Sequence, residues 1–331
     1  MSTQPQSILL LGAGELGTSI LAALSAHPSL TSTRLTILLR PSTLASPTAL
    51  PRLTHLRSLA APPTPLSFVP LDLAAPTARA DLAALIRDDA YDAVIACTGF
   101  AASGAADEGT QALAAAAVLA ARAQGARVRA FVPWQFGVDY DVVGAGAAGG
   151  LMAEQVRVRE VLRGQEAVRW VIVSTGMFTS FVFEEFFGVV EGLEGEGEVV
   201  VRALGSWETK VTVTAVEDIG RVVADVVAVP VERNDRGGSV VFTAGQTLTY
   251  GELADVVEKV VGGRRKVRRE EWSLQFLQRE LEKDPDSQIK KYRVLFGEGK
   301  GVSWEMENTI NAERGIATVG VEEWLRKKLN A

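Results

Sequence analysis

The chain has 331 residues, of which 47% are hydrophobic and 22% charged, and its formal net charge is -6. The composition is that of an ordinary globular protein and argues against disorder, while the acidic balance argues against a general nucleic-acid binder, which needs a basic face. One cysteine, Cys97, and two histidines exclude an intrachain disulfide framework and a Cys- or His-rich metal site.

The N-terminal sequence MSTQPQS has no basic segment followed by an apolar core, and the longest apolar stretches are too short to span a bilayer. With the single cysteine, these features predict a cytoplasmic protein without a membrane partner. The length predicts one large domain with an appended lobe, or two domains.

Apolar runs alternate with helix-length amphipathic segments through the first half of the chain. This alternation predicts an α/β protein with a Rossmann-type, doubly wound parallel sheet. The predicted strands are 7–11, 35–39, 66–69, 93–96, 128–132 and 168–173. The predicted helices are 15–26, 77–87, 105–124 and 150–162.

The second half has a different pattern, with clustered aromatic residues near 177–187 and a more polar C-terminal third. The pattern predicts a hairpin, a returning strand and further helices. The predicted hairpin covers 198–214, and the predicted returning strand covers 239–243. The further helices are predicted at 216–227, 250–261, 270–282 and 321–329. We therefore predict a Rossmann domain over 1–175, with 212–245 returning to it, and a substrate lobe from 176–211 and 246–331. The segment 40–65, rich in Pro, Ser and Thr, predicts a surface loop with one short helix.

The sequence GAGELG carries glycines 12, 14 and 17 directly between the first strand and the first helix. In this arrangement Gly12 makes a tight turn, Gly14 lets the backbone approach a pyrophosphate, and Gly17 lets the helix pack closely. The helix N-terminus, with Glu15 and Leu16, supplies amide donors to phosphate. The loop therefore predicts dinucleotide binding.

The end of the second strand distinguishes the two nicotinamide dinucleotides. An acidic residue there binds the ribose 2'-hydroxyl, whereas a cation accommodates a 2'-phosphate. Arg40 occupies this point, followed by Ser42 and Thr43 as further donors. We therefore predict NADP(H) as the cofactor.

The fourth predicted strand ends in IACTGF, which places Thr98, Gly99 and Phe100 at the carboxyl edge of the sheet beside the cofactor. Cys97 lies in the same turn. Because no histidine is evidently paired with it, we interpret Cys97 as a small core residue rather than a nucleophile.

The glycine loop, Arg40, the segment RVRAFVPWQFGVDYDVVG and the ending VGVEEWL together resemble the isoflavone reductase-like, NmrA-like branch of the atypical short-chain dehydrogenases. The stretch 131–141 is similar to the fungal aromatic alcohol reductase subgroup. The resemblance implies an extended Rossmann fold with a small C-terminal lobe and NADPH-dependent reduction of aromatic metabolites. Some NmrA-like proteins instead bind the dinucleotide as regulators.

The resemblance also implies two groups of site residues. The first follows the fifth strand and lies along the nicotinamide or the substrate: Val132, Pro133, Trp134, Gln135 and Phe136. The second follows the sixth strand and borders the substrate: Gly176, Met177 and Phe178. Both groups stand at strand ends, where ligands bind in such sheets. Asp139 either lines the substrate entrance or caps a turn.

In reductases of this family a lysine follows the FGVDYD segment and transfers a proton, and the resemblance implies that Gln155 stands at its position here. Glutamine donates hydrogen bonds but exchanges no proton near neutral pH, so the loss of a general acid would cost about 10²- to 10⁴-fold in rate. No lysine precedes Lys210, and no Tyr-x-x-x-Lys pair begins at Tyr140.

Three interpretations of Gln155 remain open. It positions substrate while the proton comes from water, Tyr140 or the substrate; it belongs to a redox-neutral enzyme with bound NADP(H) as scaffold; or the position is catalytically inert. The corresponding functions are an NADPH-dependent reductase of an aromatic or polycyclic metabolite, a rearrangement or cyclisation enzyme, and a dinucleotide sensor. The expected partner is a small aromatic molecule, which is the substrate, and the chain is expected to be a monomer or a homodimer.

Overall fold

A computed structural model of the chain describes residues 4–60, 62–99, 109–232, 238–262 and 265–329. Contacts within the chain divide it into two compact units, each assembled from segments that are separate in sequence. The first unit comprises Met1–Gln135, Arg157–Val173 and Ile219–Val241, and the second comprises Phe136–Val156, Ser174–Asp218 and Phe242–Ala331.

Strands and helices are numbered in chain order. The strands are β1 (Ser7–Leu11), β2 (Arg34–Leu39), β3 (Leu66–Pro70), β4 (Ala93–Ala96), β5 (Ala130–Val132), β6 (Arg169–Ser174), β7 (Met177–Phe178), β8 (Val190–Glu191), β9 (Val199–Gly205), β10 (Lys210–Thr214), β11 (Gly238–Phe242), β12 (Gln246–Thr249) and β13 (Val267–Ser273).

The helices are α1 (Glu15–Ala26), α2 (Pro41–Leu44), α3 (Ala49–Leu59), α4 (Ala78–Asp88), α5 (Thr110–Ala123), α6 (Tyr140–Val143), α7 (Ala147–Gly150), α8 (Ala153–Arg163), α9 (Thr179–Val182), α10 (Val216–Ala228), α11 (Tyr250–Val261), α12 (Leu274–Glu282), α13 (Gln288–Glu298), α14 (Ile310–Glu313) and α15 (Val321–Lys328). Short 3-10 turns cover Glu185–Phe187 and Met306–Asn308.

The first unit is built on a seven-stranded sheet in the order β11-β6-β5-β4-β1-β2-β3. Strands β1 to β6 pair in parallel, with β1 between β2 and β4. All five residues of β1 are buried, as are the four of β4, because a central parallel strand is covered by helices on both faces. The switch in strand order at β1 places the β1–α1 turn and the carboxyl end of β4 at the same edge, where ligands bind in this class of sheet.

The second unit contains two three-stranded sheets, β12-β10-β7 and β13-β9-β8. The strands and the helices α6 to α9, α11 to α13 and α15 contribute side chains to a core of aliphatic and aromatic residues. The core includes five almost completely buried aromatic side chains: Tyr140, Phe183, Phe187, Tyr250 and Phe296.

The predicted fold class is confirmed, and so is the return of a late strand to the main sheet as β11. The predicted hairpin over 198–214 is wrong, because β9 pairs with β8 and β13 whereas β10 pairs with β7 and β12. The predicted helix over 270–282 begins only at Leu274, since Val267–Ser273 pairs in parallel with β9. The segment 40–65 contains two helices, α2 and α3, rather than one.

The contact-based units and the predicted domains assign four segments differently. Residues 136–156, 174–175, 212–218 and 242–245 belong to the predicted Rossmann domain, whereas their contacts place them in the second unit. Within the described ranges, no helix combines the length and apolar character that crossing a bilayer requires. The same ranges bring no three His, Cys, Asp or Glu side chains together in a metal-binding arrangement.

Candidate functional site

The glycine loop after β1 has the geometry that its sequence predicts. Gly12 has φ +97°, and a Cβ there would lie 3.1 Å from Thr98 Cγ2. A Cβ on Gly17 would lie 2.4 Å from the carbonyl oxygen of Gly12, so only glycine lets α1 approach the loop this closely. Gly14 is the N-cap of α1 and faces open space, with no atom within 4 Å of its would-be Cβ. The backbone of Gly14 is therefore accessible to a ligand.

Helix α1 begins at Glu15, which is exposed, followed by Leu16, which is buried. No side chain caps this helix, so its first amide groups point toward the open space at Gly14 without a capping acceptor. An anion such as a phosphate satisfies such amides and is favoured by the helix dipole.

The end of β4 forms the second wall of this site. The buried hydroxyl Oγ1 of Thr98 has no hydrogen-bond partner among the residues that the structure describes. Gln111 Nε2 donates to the carbonyl of Thr98 at 2.5 Å and to that of Gly99 at 3.4 Å, which anchors the turn. Cys97 is buried, and burial raises the pKa of its thiol, as suits a core residue. Phe100, the third residue predicted here, lies outside the described residues.

Arg40 follows β2 and is exposed. Its guanidinium has no hydrogen-bond or ion-pair partner in the described part of the chain. Beside it, a cleft of about 240 Å³ is lined by residues of α2 and α3 and the turn between them: Ser42, Thr43, Ser46, Thr48, Ala49 and Arg52. Four hydroxyl groups and a guanidinium suit an anion with several acceptor oxygens.

Arg52 was not identified from the sequence. Its Nη2 donates to the carbonyl of Ala13 at 2.9 Å, which ties α3 to the glycine loop. Arg52 lies in a segment whose Pro- and Ser-rich sequence predicts a loop. Its position beside the glycine loop follows only from the course of α3 in the structure. The one signal in the sequence is that Arg52 is the first cationic residue after Arg40.

The segment after β5 is buried. Trp134 packs its indole against Gly99, where a Cβ would lie 3.6 Å from Trp134 Cζ2. Gln135 and Arg159 are both fully buried, and Arg159 Nε donates to Gln135 Oε1 at 3.0 Å. Because arginine only donates, this bond fixes which end of the Gln135 amide is the oxygen. Pro133 is also buried and sits between Val132 and Trp134.

In the second unit, Phe136 is buried, and the next residue, Gly137, organises the loop after β6. The carbonyl of Gly137 accepts from the amides of Thr175 and Gly176 at 2.9 and 3.0 Å. A Cβ on Gly137 would lie 2.3 Å from the hydroxyl of Tyr140, so this buried phenol is packed directly on the loop. Two of the predicted site segments are thus held together here.

The remaining predicted substrate residues differ in their burial and in their contacts. Asp139 caps α6 by accepting from the amide of Asp141 at 3.1 Å, the alternative role that its sequence left open. Met177 is buried and Phe178 partly buried, and both pair with β10. Their assignment to substrate stays a prediction.

Gln155 is fully buried on α8. Lys210, the first lysine of the chain, is 54% exposed and lies 3.8 Å from Glu305, so it is a surface charge. Lys291 on α13 instead reaches toward α7: its Cε lies 3.4 Å and its Nζ 3.9 Å from where a Cβ of Gly149 would be. The sequence alone gave no reason to place Lys291 beside the segment that precedes Gln155.

Gly176→Ala tests how tightly the loop after β6 is specified. Gly176 has φ +68°, and a Cβ would lie 2.1 Å from the carbonyl oxygen of Thr212. We expect the substitution to lower the free energy of unfolding by about 2–4 kcal/mol, from backbone strain and overpacking together. Urea unfolding measures the loss. Gly146→Ala is the control, because Gly146 has φ -85° and open space around it, and an equal loss there would contradict the argument.

A family model described as the NmrA-like family matches residues 6–325 of the chain. An NmrA-like family domain-containing oxidoreductase of Gibberella moniliformis is 42% identical over 324 residues, which are 97% of each chain. Two solved structures share the fold. A leucoanthocyanidin reductase from Vitis vinifera in complex with NADPH is 18% identical with a TM-score of 0.71, and an isoflavone reductase is 19% identical with a TM-score of 0.70. Each comparison covers 98% of this chain and 100% of the other.

Proposed function

The chain belongs to the NmrA-like family, and from that premise we propose that it is an NADPH-dependent reductase of an aromatic or polycyclic small molecule. The observation that carries the proposal is the arrangement at the glycine loop. An uncapped helix N-terminus and an open Gly14 stand in the same unit as the unpartnered Arg40 and a hydroxyl-lined cleft containing Arg52. The similar protein of Gibberella moniliformis is described as an oxidoreductase, and the similar Vitis vinifera reductase was solved with NADPH.

The residues present fit this dinucleotide. The amides at the start of α1 and the open backbone of Gly14 suit a pyrophosphate. Arg40, Arg52 and Ser42 suit a 2'-phosphate, and the buried hydroxyl of Thr98 suits a polar group of the ligand, since it has no partner among the described residues. When bound, NADPH would supply a hydride from nicotinamide C4. The protein's own contribution is to orient the reactants and to exclude water.

Three measurements test the proposal and separate it from its alternatives. The purified protein is mixed with NADPH and a panel of aromatic aldehydes, ketones and quinones. A reductase lowers the absorbance of NADPH at a rate that depends on the added carbonyl. A redox-neutral enzyme converts its substrate without net loss of NADPH, and a sensor binds NADPH but converts nothing. Binding without any carbonyl-dependent consumption across the panel contradicts the proposal.

The redox-neutral alternative is favoured by one observation. The position that the family resemblance assigns to a catalytic lysine holds Gln155, whose side chain is fully buried and cannot exchange a proton near neutral pH. In a reductase, the proton must then come from water, from Tyr140 or from the substrate itself.

Gln155→Lys distinguishes these possibilities. If the chain is a reductase limited by its proton supply, the new amine should raise the rate of NADPH oxidation by about 10²-fold, the usual contribution of a general acid. The increase should also depend on pH, because lysine acts as a general acid only in its protonated form. Gln155→Met has nearly the same length without a titrating group and serves as control. An equal increase with methionine would mean that shape rather than proton transfer limits the rate.

A further inference from the structure

Ser46 lies in the bend between α2 and α3, outside both helices. Its side chain is half-buried, and its neighbours Ala45 and Pro47 are exposed. Every other residue of the segment 40–48 is likewise exposed or half-buried, including the four residues of α2. Ser46 therefore stands at the surface of the first unit, where an enzyme in solution can reach its hydroxyl.

The hydroxyl oxygen of Ser46 lies at the start of α3. It accepts a hydrogen bond from the amide of Thr48 at 3.2 Å and is 2.9 Å from the hydroxyl of Thr48. Thr48 is the N-cap residue of this eleven-residue helix, and its own side chain caps none of the first amides. A negative group carried by Ser46 would thus be stabilised by the helix N-terminus.

Ser46 also lines the cleft of about 240 Å³ that contains Arg52. Arg52 donates a single hydrogen bond within the described part of the chain, from Nη2 to the carbonyl of Ala13 at 2.9 Å, and pairs with no carboxylate there. A guanidinium has five N–H donors, so donors of Arg52 remain for an anion. A cation and a helix N-terminus therefore border the space into which a group on Ser46 Oγ extends.

We propose that Ser46 is a phosphorylation site and that its phosphate occupies this cleft in place of the 2'-phosphate of NADPH. A protein kinase transfers the γ-phosphoryl group of ATP to Ser46 Oγ. The Oγ–P bond forms as the bond from that phosphorus to the β-phosphate oxygen breaks, ADP leaves, and the hydroxyl proton passes to the catalytic base of the kinase. The inference rests on the proposed function, because it names a regulation of the cleft that we assign to the 2'-phosphate.

The two phosphates compete because they have the same chemistry. A phosphoserine carries a charge of about -1.5 to -2 at pH 7 and three acceptor oxygens, as a ribose 2'-phosphate does. The phosphoserine is tethered beside Arg52, whereas NADPH has to bring its phosphate from solution against the repulsion of a like charge. NADH has no 2'-phosphate and needs no anion site in the cleft, so its binding should change much less.

The other hydroxyl groups of the cleft are less suitable for this modification. Ser42 and Thr43 lie within α2, and Thr48 caps α3. Protein kinases bind their substrate as an extended segment, so modification at these positions requires the unwinding of a helix. Among the cleft hydroxyls, that of Ser46 alone belongs to the irregular bend.

The test uses the full-length protein with phosphoserine incorporated at position 46 during translation. Calorimetry measures its affinity for NADPH and for NADH beside that of the unmodified protein. We expect NADPH to bind about 10²-fold more weakly, as the loss of charge-assisted hydrogen bonds predicts, and NADH to change by less than about 3-fold. An equal loss for both dinucleotides would contradict competition for one anion cleft.

Phosphoserine at position 58 is the matched control. Ser58 lies on the same helix α3 and is exposed, and its hydroxyl donates to the carbonyl of His55 at 2.7 Å. It does not line the cleft. The same charge placed there should leave the ratio of the NADPH and NADH affinities unchanged.

Thermal unfolding of the ligand-free protein locates the phosphate. Phosphoserine at position 46 should raise the midpoint by roughly 2 °C, because it gains the helix N-terminus and Arg52 as partners. In the Arg52→Ala background most of this increase should disappear. In the Arg57→Ala background it should remain, since Arg57 stacks over the ring of Phe68 instead.

The outcomes separate this inference from the proposed function. If phosphoserine at position 46 leaves NADPH binding unchanged, or if mass spectrometry finds no phosphate on Ser46 in extracts of growing and of starved cells of the native host, the inference is wrong. If the modification weakens NADPH binding but the unmodified protein reduces no carbonyl compound, the phosphorylation site stands and the reductase assignment fails. If the unmodified and the modified protein reduce aromatic carbonyl compounds equally well, the reductase stands and the phosphorylation site does not.

Discussion

The double variant Arg40→Ala, Arg52→Ala should lose most of its preference for NADPH over NADH. Arg52 lines the hydroxyl-lined cleft and Arg40 is the N-cap of α2, which contributes two of the lining hydroxyls. The 2'-phosphate is the only group that distinguishes the two dinucleotides. Each charge-assisted hydrogen bond contributes about 1.5–3 kcal/mol, so the ratio of the two affinities should fall by about 10²-fold or more. Calorimetric titration of each variant with both dinucleotides measures the ratio.

The ratio is more informative than the affinity for NADPH alone. Arg52 also holds the carbonyl of Ala13, so its loss loosens the glycine loop and weakens both dinucleotides together. Arg57→Ala is the matched control, because Arg57 lies on the same helix α3 but stacks over the ring of Phe68. A double variant that keeps the wild-type ratio would show that the cleft is not the 2'-phosphate site.

Gly14→Ala and Gly17→Ala should both abolish tight NADPH binding, for different reasons. A methyl group on Gly14 meets no protein atom within 4 Å, so the fold should be unaffected while the methyl fills the space that a pyrophosphate needs. A methyl group on Gly17 would lie 2.4 Å from the carbonyl oxygen of Gly12, so the loop itself must move. We expect a loss of affinity of about 10²-fold in each case, equivalent to roughly 2.7 kcal/mol.

Thermal or urea unfolding separates the two causes. Gly17→Ala should lower the free energy of unfolding of the ligand-free protein by about 1–3 kcal/mol, the usual cost of overpacking. Gly14→Ala should leave it unchanged within about 0.5 kcal/mol, because Gly14 has φ -75° and alanine adopts that conformation readily. If Gly14→Ala binds NADPH like the wild type, the dinucleotide does not lie over this loop.

The C-terminal half shows where sequence patterns fail. The alternation of apolar residues over 198–214 correctly predicts two extended segments, but adjacency in sequence suggested that they pair with each other. In the structure β9 and β10 lie in different sheets, and β9 pairs in parallel with β13, more than 60 residues later. A strand's own residues show that it is extended and half-buried, but they do not identify its partner.

The sequence by itself determined the strand–loop–helix unit at β1, the parallel sheet of the first unit, and the position of Arg40 at the end of β2. These features depend on local properties: the period of apolar residues, glycines that alone tolerate a positive φ or a close approach, and short connections between consecutive elements. For the same reason β1, α1, β4 and α11 begin and end at the predicted residues.

Only the tertiary structure brought Arg52 to the glycine loop, Arg159 to Gln135, and Lys291 to the segment before Gln155. The members of these pairs stand 39, 24 and, for Lys291 and Gly149, more than 100 residues apart. Such contacts follow from how helices and sheets pack, which depends on the whole core rather than on any one segment. A charged side chain in a sequence therefore reveals its chemistry, while the fold decides which other groups it meets.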